Sequence, residues 1–243
     1  MRSWSGQRYW LVGASEGLGA ALAQHLSRMG VSLILSARDE DRLNELGRAL
    51  PGRAEVVPLD VTDADAVATA AERIGDIDGI VYLAGVYWPF GAKDWSVEKA
   101  IATADVNFTG AMRLVGAVMP GMVRRNRGHI VLTGSLSGYR GMPESAAYSA
   151  SKAGVMALAE SLYSDLRKTG VQVQLLNPGF IRTRLTARND FRMPFLMEPE
   201  EAARICVEHM SGHAFKRSFP TLFSWVFRGS VALPDGIYYR LFG

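Results

Sequence analysis

The sequence predicts an α/β fold, a doubly wound parallel sheet with helices on both faces, formed by residues 1–243 as a single domain. Three observations lead there. Short apolar runs alternate along the chain with longer amphipathic stretches, the pattern of successive βαβ units. The first apolar run leads straight into a glycine turn, Gly13-Ala-Ser-Glu-Gly17-Leu-Gly19, and an amphipathic stretch follows at once. The chain has 243 residues, 48% of them apolar, which is enough for one large core and short for two.

The apolar runs at 9–12, 31–37, 55–58, 79–84, 129–133 and 171–177 read as strands buried on both faces. Between them, 18–29, 41–50, 63–74, a long region at 97–125 and 147–169 read as helices. Glu198-Pro199-Glu200-Glu201 opens a further helix, with proline near the first turn and carboxylates favourably set against the helix dipole. Crossovers between parallel strands should be right-handed. The chain shows no repeat, linker or low-complexity tract.

Composition narrows the classes of function. The net charge is +3, with basic residues spread among acidic ones, so no nucleic-acid partner is expected. The single cysteine, Cys206, excludes an internal disulfide framework and suits a reducing compartment. His25, His129, His209 and His213 lack metal-ligand spacing, and no metal site is expected. Arg2, Gln7 and Arg8 interrupt any N-terminal apolar leader, and no stretch has the roughly 20 apolar residues of a membrane span. The expected location is the cytoplasm.

The glycine turn lies between the first strand and the first helix, the context that makes it informative. Gly13 permits a tight turn, Gly17 lets backbone approach a pyrophosphate, and Gly19 lets helix pack on strand. With Ser15, Glu16 and Leu18 these residues form the expected phosphate cradle at a helix N-terminus. The second strand ends Leu35-Ser36-Ala37-Arg38. A small neutral residue followed by a guanidinium leaves room for a 2′-phosphate and can grip it, so NADP(H) is favoured and NAD(H) is the alternative. Glu16 and Asp39 argue the other way.

The chemical centre is expected at Tyr148-Ser-Ala-Ser-Lys152, with Ser135 thirteen residues before the tyrosine. On a helix, Tyr148 and Lys152 are at i and i+4 and share a face. An ammonium roughly 5 Å from a phenol, at an effective dielectric near 20, favours phenolate by about 3 kcal/mol, or about two pKa units. Such a tyrosine can act as acid or base near neutral pH. Ser135 would donate a hydrogen bond to a substrate oxygen as charge develops there.

These residues together resemble the short-chain dehydrogenase/reductase family, over roughly residues 7–212. The resemblance implies a Rossmann-type fold and an NAD(P)-dependent exchange between carbonyl and alcohol. It assigns Ser135, Tyr148 and Lys152 to catalysis, with Lys152 also on the nicotinamide ribose and Asn107 supporting a proton relay through a held water. Asp60 and Val61 match the adenine contact, Ala84 and Gly85 the turn after the fourth strand. Pro178, Gly179, Ile181 and Thr183 fall in the segment that meets the nicotinamide end. Two positions depart from the pattern: Val12 stands where the family usually has threonine, and Leu83 where it has asparagine. Packing is expected to replace a structural hydrogen bond there.

The reacting carbon is expected among Tyr87, Trp88, Phe90, Leu136, Met142, Pro143, Phe180 and Ile181, and residues 182–197 as a lid, which suggests an apolar carbonyl or alcohol substrate. Arg182, Arg184, Arg188 and Arg192 offer contacts to a cofactor phosphate or an acidic substrate, but most are read as solvated. The tail at about 213–243 is aromatic-rich, with basic residues interleaved. Packing within the protein, as a flap or a dimer contact, is the favoured reading of that tail, and a peripheral membrane contact the less favoured one. The resemblance implies a homodimer or homotetramer built on the helices carrying Asn107 and Tyr148. Two other functions are weighed: a non-catalytic dinucleotide sensor or scaffold on the same fold, and a sugar-nucleotide epimerase. The intact tetrad argues against the first, and the short C-terminal region against the second.

Overall fold

The computed structural model describes residues 2–242; Met1 and Gly243, the two ends of the expected domain, lie outside the described residues. The strands are β1 (Arg8–Val12), β2 (Ser32–Ser36), β3 (Ala54–Val56), β4 (Gly79–Tyr82), β5 (Gly128–Thr133), β6 (Val171–Pro178) and β7 (Lys216–Phe219). They form one sheet in the order β3-β2-β1-β4-β5-β6-β7, and every pairing is parallel. The chain runs outward from β1 to β3, then returns to the other side of β1 as β4. At that reversal the loops leaving β1 and β4 part, and a crevice opens at the carboxyl ends of the strands.

Strand sequence feeds two cores at once. In β1, Tyr9 and Leu11 enter the layer on one face of the sheet, Trp10 and Val12 the layer on the other. The first layer is closed by α1 (Gly17–Arg28), α2 (Glu40–Ala49) and α7 (Pro199–Met210), through residues such as Leu22, Leu26, Leu43 and Cys206. The second is closed by α3 (Ala64–Ile74), α5 (Gly110–Arg124) and α6 (Ala146–Leu166), through Val67, Leu114 and Val155. Continuous apolar strands make sense only between two such layers. Side-chain oxygens of Asp39 and Asp63 cap α2 and α3, each accepting a backbone N–H three residues on. Pro199 opens α7, with Glu200 and Glu201 in its first turn, as the sequence implies.

The structure departs from the sequence reading in three places. The expected helical region at 97–125 is α4 (Val97–Ala104), a π-helical turn (Asp105–Thr109) and α5 in one run. The seventh strand was not foreseen: β7 reads Lys-Arg-Ser-Phe, with exposed cations on an edge strand and no apolar run to betray it. The tail beyond it is two helices, α8 (Thr221–Ser230) and α9 (Asp235–Phe242).

Candidate active site

A cleft of about 690 Å³ lies at the carboxyl ends of the central strands. Gly13, Ser15, Glu16, Gly17, Leu18 and Gly19 line one side, and Arg38, Asp60 and Val61 the far end. Ala84, Gly85, Tyr148, Lys152, Pro178, Gly179, Ile181 and Thr183 complete it. Every residue assigned above to the cofactor therefore borders one space.

The glycine turn is shaped by close approach. Gly13 has φ +95°, and a Cβ there would sit 2.4 Å from the Ala84 nitrogen. A Cβ on Gly19 would lie 2.1 Å from the Gly13 carbonyl oxygen, so helix α1 can start against the strand only with glycine there. The helix opens into the cleft, and its unpaired first-turn N–H groups and dipole make that end suited to a pyrophosphate. The departures at Val12 and Leu83 cost little: Val12 is buried, and Leu83 N–H continues the ladder by donating to the Val12 carbonyl at 2.8 Å.

The two carboxylates that argue against a 2′-phosphate are both neutralised. Glu16 pairs with Arg42 at 2.7 Å and Arg184 at 2.9 Å, and Asp39 pairs with Arg42 at 3.1 Å. Arg38 is exposed at the cleft and has no ion-pair partner among the described residues. Arg42 was missed from sequence as a shaper of this end, and Arg184, named there only as a possible phosphate or substrate contact, pairs with Glu16 instead. Burial tends to raise the Asp60 carboxyl, but hydrogen bonds from Thr62 and the charges of Arg38 and Arg113 outweigh it and leave it below its ordinary value.

The start of α6 carries the tyrosine and lysine expected to react. Lys152 is 5% exposed; its Nζ donates to the Thr133 carbonyl at 2.9 Å and lies 5.9 Å from the centre of the Tyr148 ring. Burial depresses this ammonium to about 8. Ser135 follows β5, and its Oγ accepts from Ser137 N–H at 3.1 Å, which caps the short turn Leu136–Gly138. Gly138 lets that turn approach α6, since a Cβ there would lie 3.0 Å from the Ala153 nitrogen. One expectation is corrected. The Tyr148 phenol is not depressed: burial pushes it up to about 12, with the neighbouring Ser135 hydrogen bond acting against the rise and Tyr87 adding to it. Desolvation disfavours phenolate, and here it dominates.

Asn107 sits in the π-helical turn, fully buried. Its carboxamide accepts from Val86 N–H at 2.8 Å and donates to the Val86 carbonyl and to Ser151 Oγ, each at 3.0 Å. It thus ties the loop after β4 to α6, one residue from Lys152. Ser151 was missed, although it lies inside the tyrosine–lysine motif.

The apolar residues divide. The Tyr87 ring meets Tyr148 edge-on with centres 5.0 Å apart. Leu136 and Phe223 flank Gly179 at the cleft. Phe180 contacts Phe191 and Phe223, whereas Met197 is buried in the core. The segment 182–197 is pinned at its base by paired backbone bonds between Arg182, Met197 and Phe180. All four of its arginines are exposed, in line with the solvated reading, and three also take surface partners: Arg182 with Glu198, Arg184 with Glu16, and Arg188 with the Tyr87 carbonyl and the Trp88 ring. Among the described residues no cluster of three or more His, Cys, Asp or Glu could hold a metal ion.

Comparison with known proteins agrees with this geometry. The short chain dehydrogenase family profile matches residues 9–192. An uncharacterized oxidoreductase of Myxococcus xanthus (strain DK1622) is 40% identical over 235 residues, covering 94% of this chain and 93% of that protein. A short chain dehydrogenase from Burkholderia cenocepacia J2315 in complex with NADP superposes with a TM-score of 0.87 at 27% identity, covering 99% of each chain. A short-chain dehydrogenase from Sphingobium yanoikuyae in complex with NADPH gives 0.83 at 27% identity, covering 97% of this chain and 94% of that one. The chain belongs to the short-chain dehydrogenase/reductase family and is an NAD(P)-dependent oxidoreductase.

Proposed function

We propose that this enzyme is an NADP(H)-dependent carbonyl reductase acting on an apolar small molecule, with Tyr148 as general acid. The observation that carries the reading is the gathering of a phenol, a buried ammonium and a serine hydroxyl beside a cleft that begins at a glycine turn. When bound, the nicotinamide supplies or accepts hydride. The chain's own residues do the rest. Ser135 donates a hydrogen bond to the substrate oxygen and stabilises the charge that develops there. Tyr148, protonated throughout the neutral range, delivers its proton to that oxygen. Lys152, its Nζ 5.9 Å from the ring centre, opposes the cost of the phenolate left behind by roughly 3 kcal/mol at an effective dielectric near 20. Its ammonium also suits the nicotinamide ribose. Asn107 holds Val86 and α6 in register and supports the proton relay that restores Tyr148.

The adenosine end fits a 2′-phosphate. Arg38 is uncommitted there, and Arg42 and Arg184 spend their charge cancelling Glu16 and Asp39. The rings of Tyr87, against Tyr148, and of Phe180 and Phe223, against each other, suit an apolar ketone or aldehyde. The test is Tyr148→Phe, assayed by NADPH oxidation over a graded panel of apolar carbonyls. Turnover should vanish while NADPH still quenches protein fluorescence; turnover at the wild-type rate would remove Tyr148 from the mechanism.

A further inference from the structure

Helix α8 is apolar on two sides. Its inner side packs on the enzyme: Ser224 and Phe227 are buried, and the Phe223 ring lies 5.9 Å from Phe180 and 5.4 Å from Phe195. Its outer side carries Leu222, Trp225 and Val226, which are 76%, 62% and 47% exposed. The spacing i, i+3, i+4 puts these three on one stripe. In helix α9 Tyr238 is buried, Ile237 and Leu241 are exposed one turn apart on one side, and Tyr239 is exposed on another. A surface helix normally turns a polar face to water, and a second apolar face calls for a second partner.

We propose that the outer side of α8 and α9 docks on an anionic lipid bilayer. Charge identifies the partner. Residues 213–243 carry four cationic side chains and one carboxylate, the same +3 as the whole chain, so the remainder is balanced. The carboxylate, Asp235, is paired with Arg140, and Lys216 is paired with Glu160. Arg228 on α8 and Arg240 on α9 have no ion-pair partner among the described residues. Two copies meeting through this surface would oppose these cations, whereas an anionic bilayer attracts them. The Arg228 guanidinium lies 5.2 Å over the Trp225 ring, an indole beside a cation at the apolar boundary, as membrane interfaces favour.

The surface is also held firmly. Arg140 donates to the Ser230 and Leu233 carbonyls at 2.6 and 2.8 Å and stacks 4.0 Å from the Tyr238 ring. The Tyr238 hydroxyl donates back to the Gly141 carbonyl at 2.7 Å. The exposed side chains are therefore presented on a fixed hairpin, ordered before contact. Among the described residues no helix is long and apolar enough to cross a membrane, so the contact is peripheral. The docking does not depend on the proposed reaction.

Flotation of the full chain with vesicles tests it, comparing phosphatidylcholine alone with an equimolar mixture of phosphatidylcholine and phosphatidylglycerol. The chain should float with the mixed vesicles and far less with the neutral ones. Arg228→Gln and Arg240→Gln should each lower partitioning roughly fivefold. The combined change Leu222→Ser, Trp225→Ser and Val226→Ser should abolish flotation and leave the melting curve unchanged. Absence of flotation by the intact chain would overturn the proposal, as would unaltered flotation of the triple variant. So would a lipid-indifferent dimer that the triple variant dissociates on size exclusion, since a second copy would then cover this face.

Discussion

Replacing Lys152 with methionine keeps the length of the side chain and removes its ammonium. The consequence for stability follows from burial. In the folded chain this lysine titrates at about 8, and in the unfolded chain near 10.4. Between those values the unfolded state binds more protons, so the lysine makes folding stability rise with pH. Relative to Lys152→Met, the wild type should gain about 1 kcal/mol between pH 7 and pH 9, and about 2–3 kcal/mol by pH 10. Loss of the 2.9 Å bond to the Thr133 carbonyl shifts the variant's curve by a constant and leaves this difference in slope intact. Tyr148, pushed up to about 12, works in the opposite sense only above about pH 10, outside the range compared. The assay is urea unfolding of each protein across that pH range. Parallel stability curves would refute the reasoning, because they would mean that the buried amine carries its proton as easily as one in water.

Three further outcomes are expected. Arg38→Ala should weaken NADPH roughly 10–100-fold, the worth of a charge-assisted phosphate contact, and leave NADH nearly unchanged; titration by fluorescence separates the two. Asn107→Ala removes three hydrogen bonds and strands the Val86 backbone, so urea unfolding should report a loss of about 2–4 kcal/mol, with turnover falling as well. Gly13→Ala forces a Cβ to within 2.4 Å of the Ala84 nitrogen at positive φ and should cost at least about 3 kcal/mol, read from thermal melts. Gly85→Ala is its control: the nearest atom would be 3.5 Å away, and the protein should fold normally.

Much of the fold was legible because its strands are short apolar runs and its helices carry one apolar side. β7 escaped because an edge strand needs no such run; Lys216 and Arg217 face outward and only Phe219 is fully buried. Of the candidate site, the glycine turn and the Ser135, Tyr148 and Lys152 pattern could be read because the proposed chemistry needs those residue types at those spacings. Arg42 and Arg184 could not be placed there, since they reach Glu16 from α2 and from the segment 182–197, 26 and 168 positions away. No local pattern encodes such a pairing.

The order of apolar runs, the glycines that tolerate positive φ or close approach, and the helical spacing of Tyr148 and Lys152 are local properties, and sequence alone determined them. Desolvation is not local. It depends on how many atoms the rest of the chain packs around a group, and it set Tyr148 and Lys152 opposite to what their mutual attraction predicts. The same holds for the tail. Its aromatic content was visible at once, but only folding divided Phe223, Phe227 and Tyr238, which pack inward, from Leu222, Trp225 and Tyr239, which face outward. Which side of a helix meets the core is settled by what lies beneath it, and here that is a staple from Arg140, some 90 residues away in sequence.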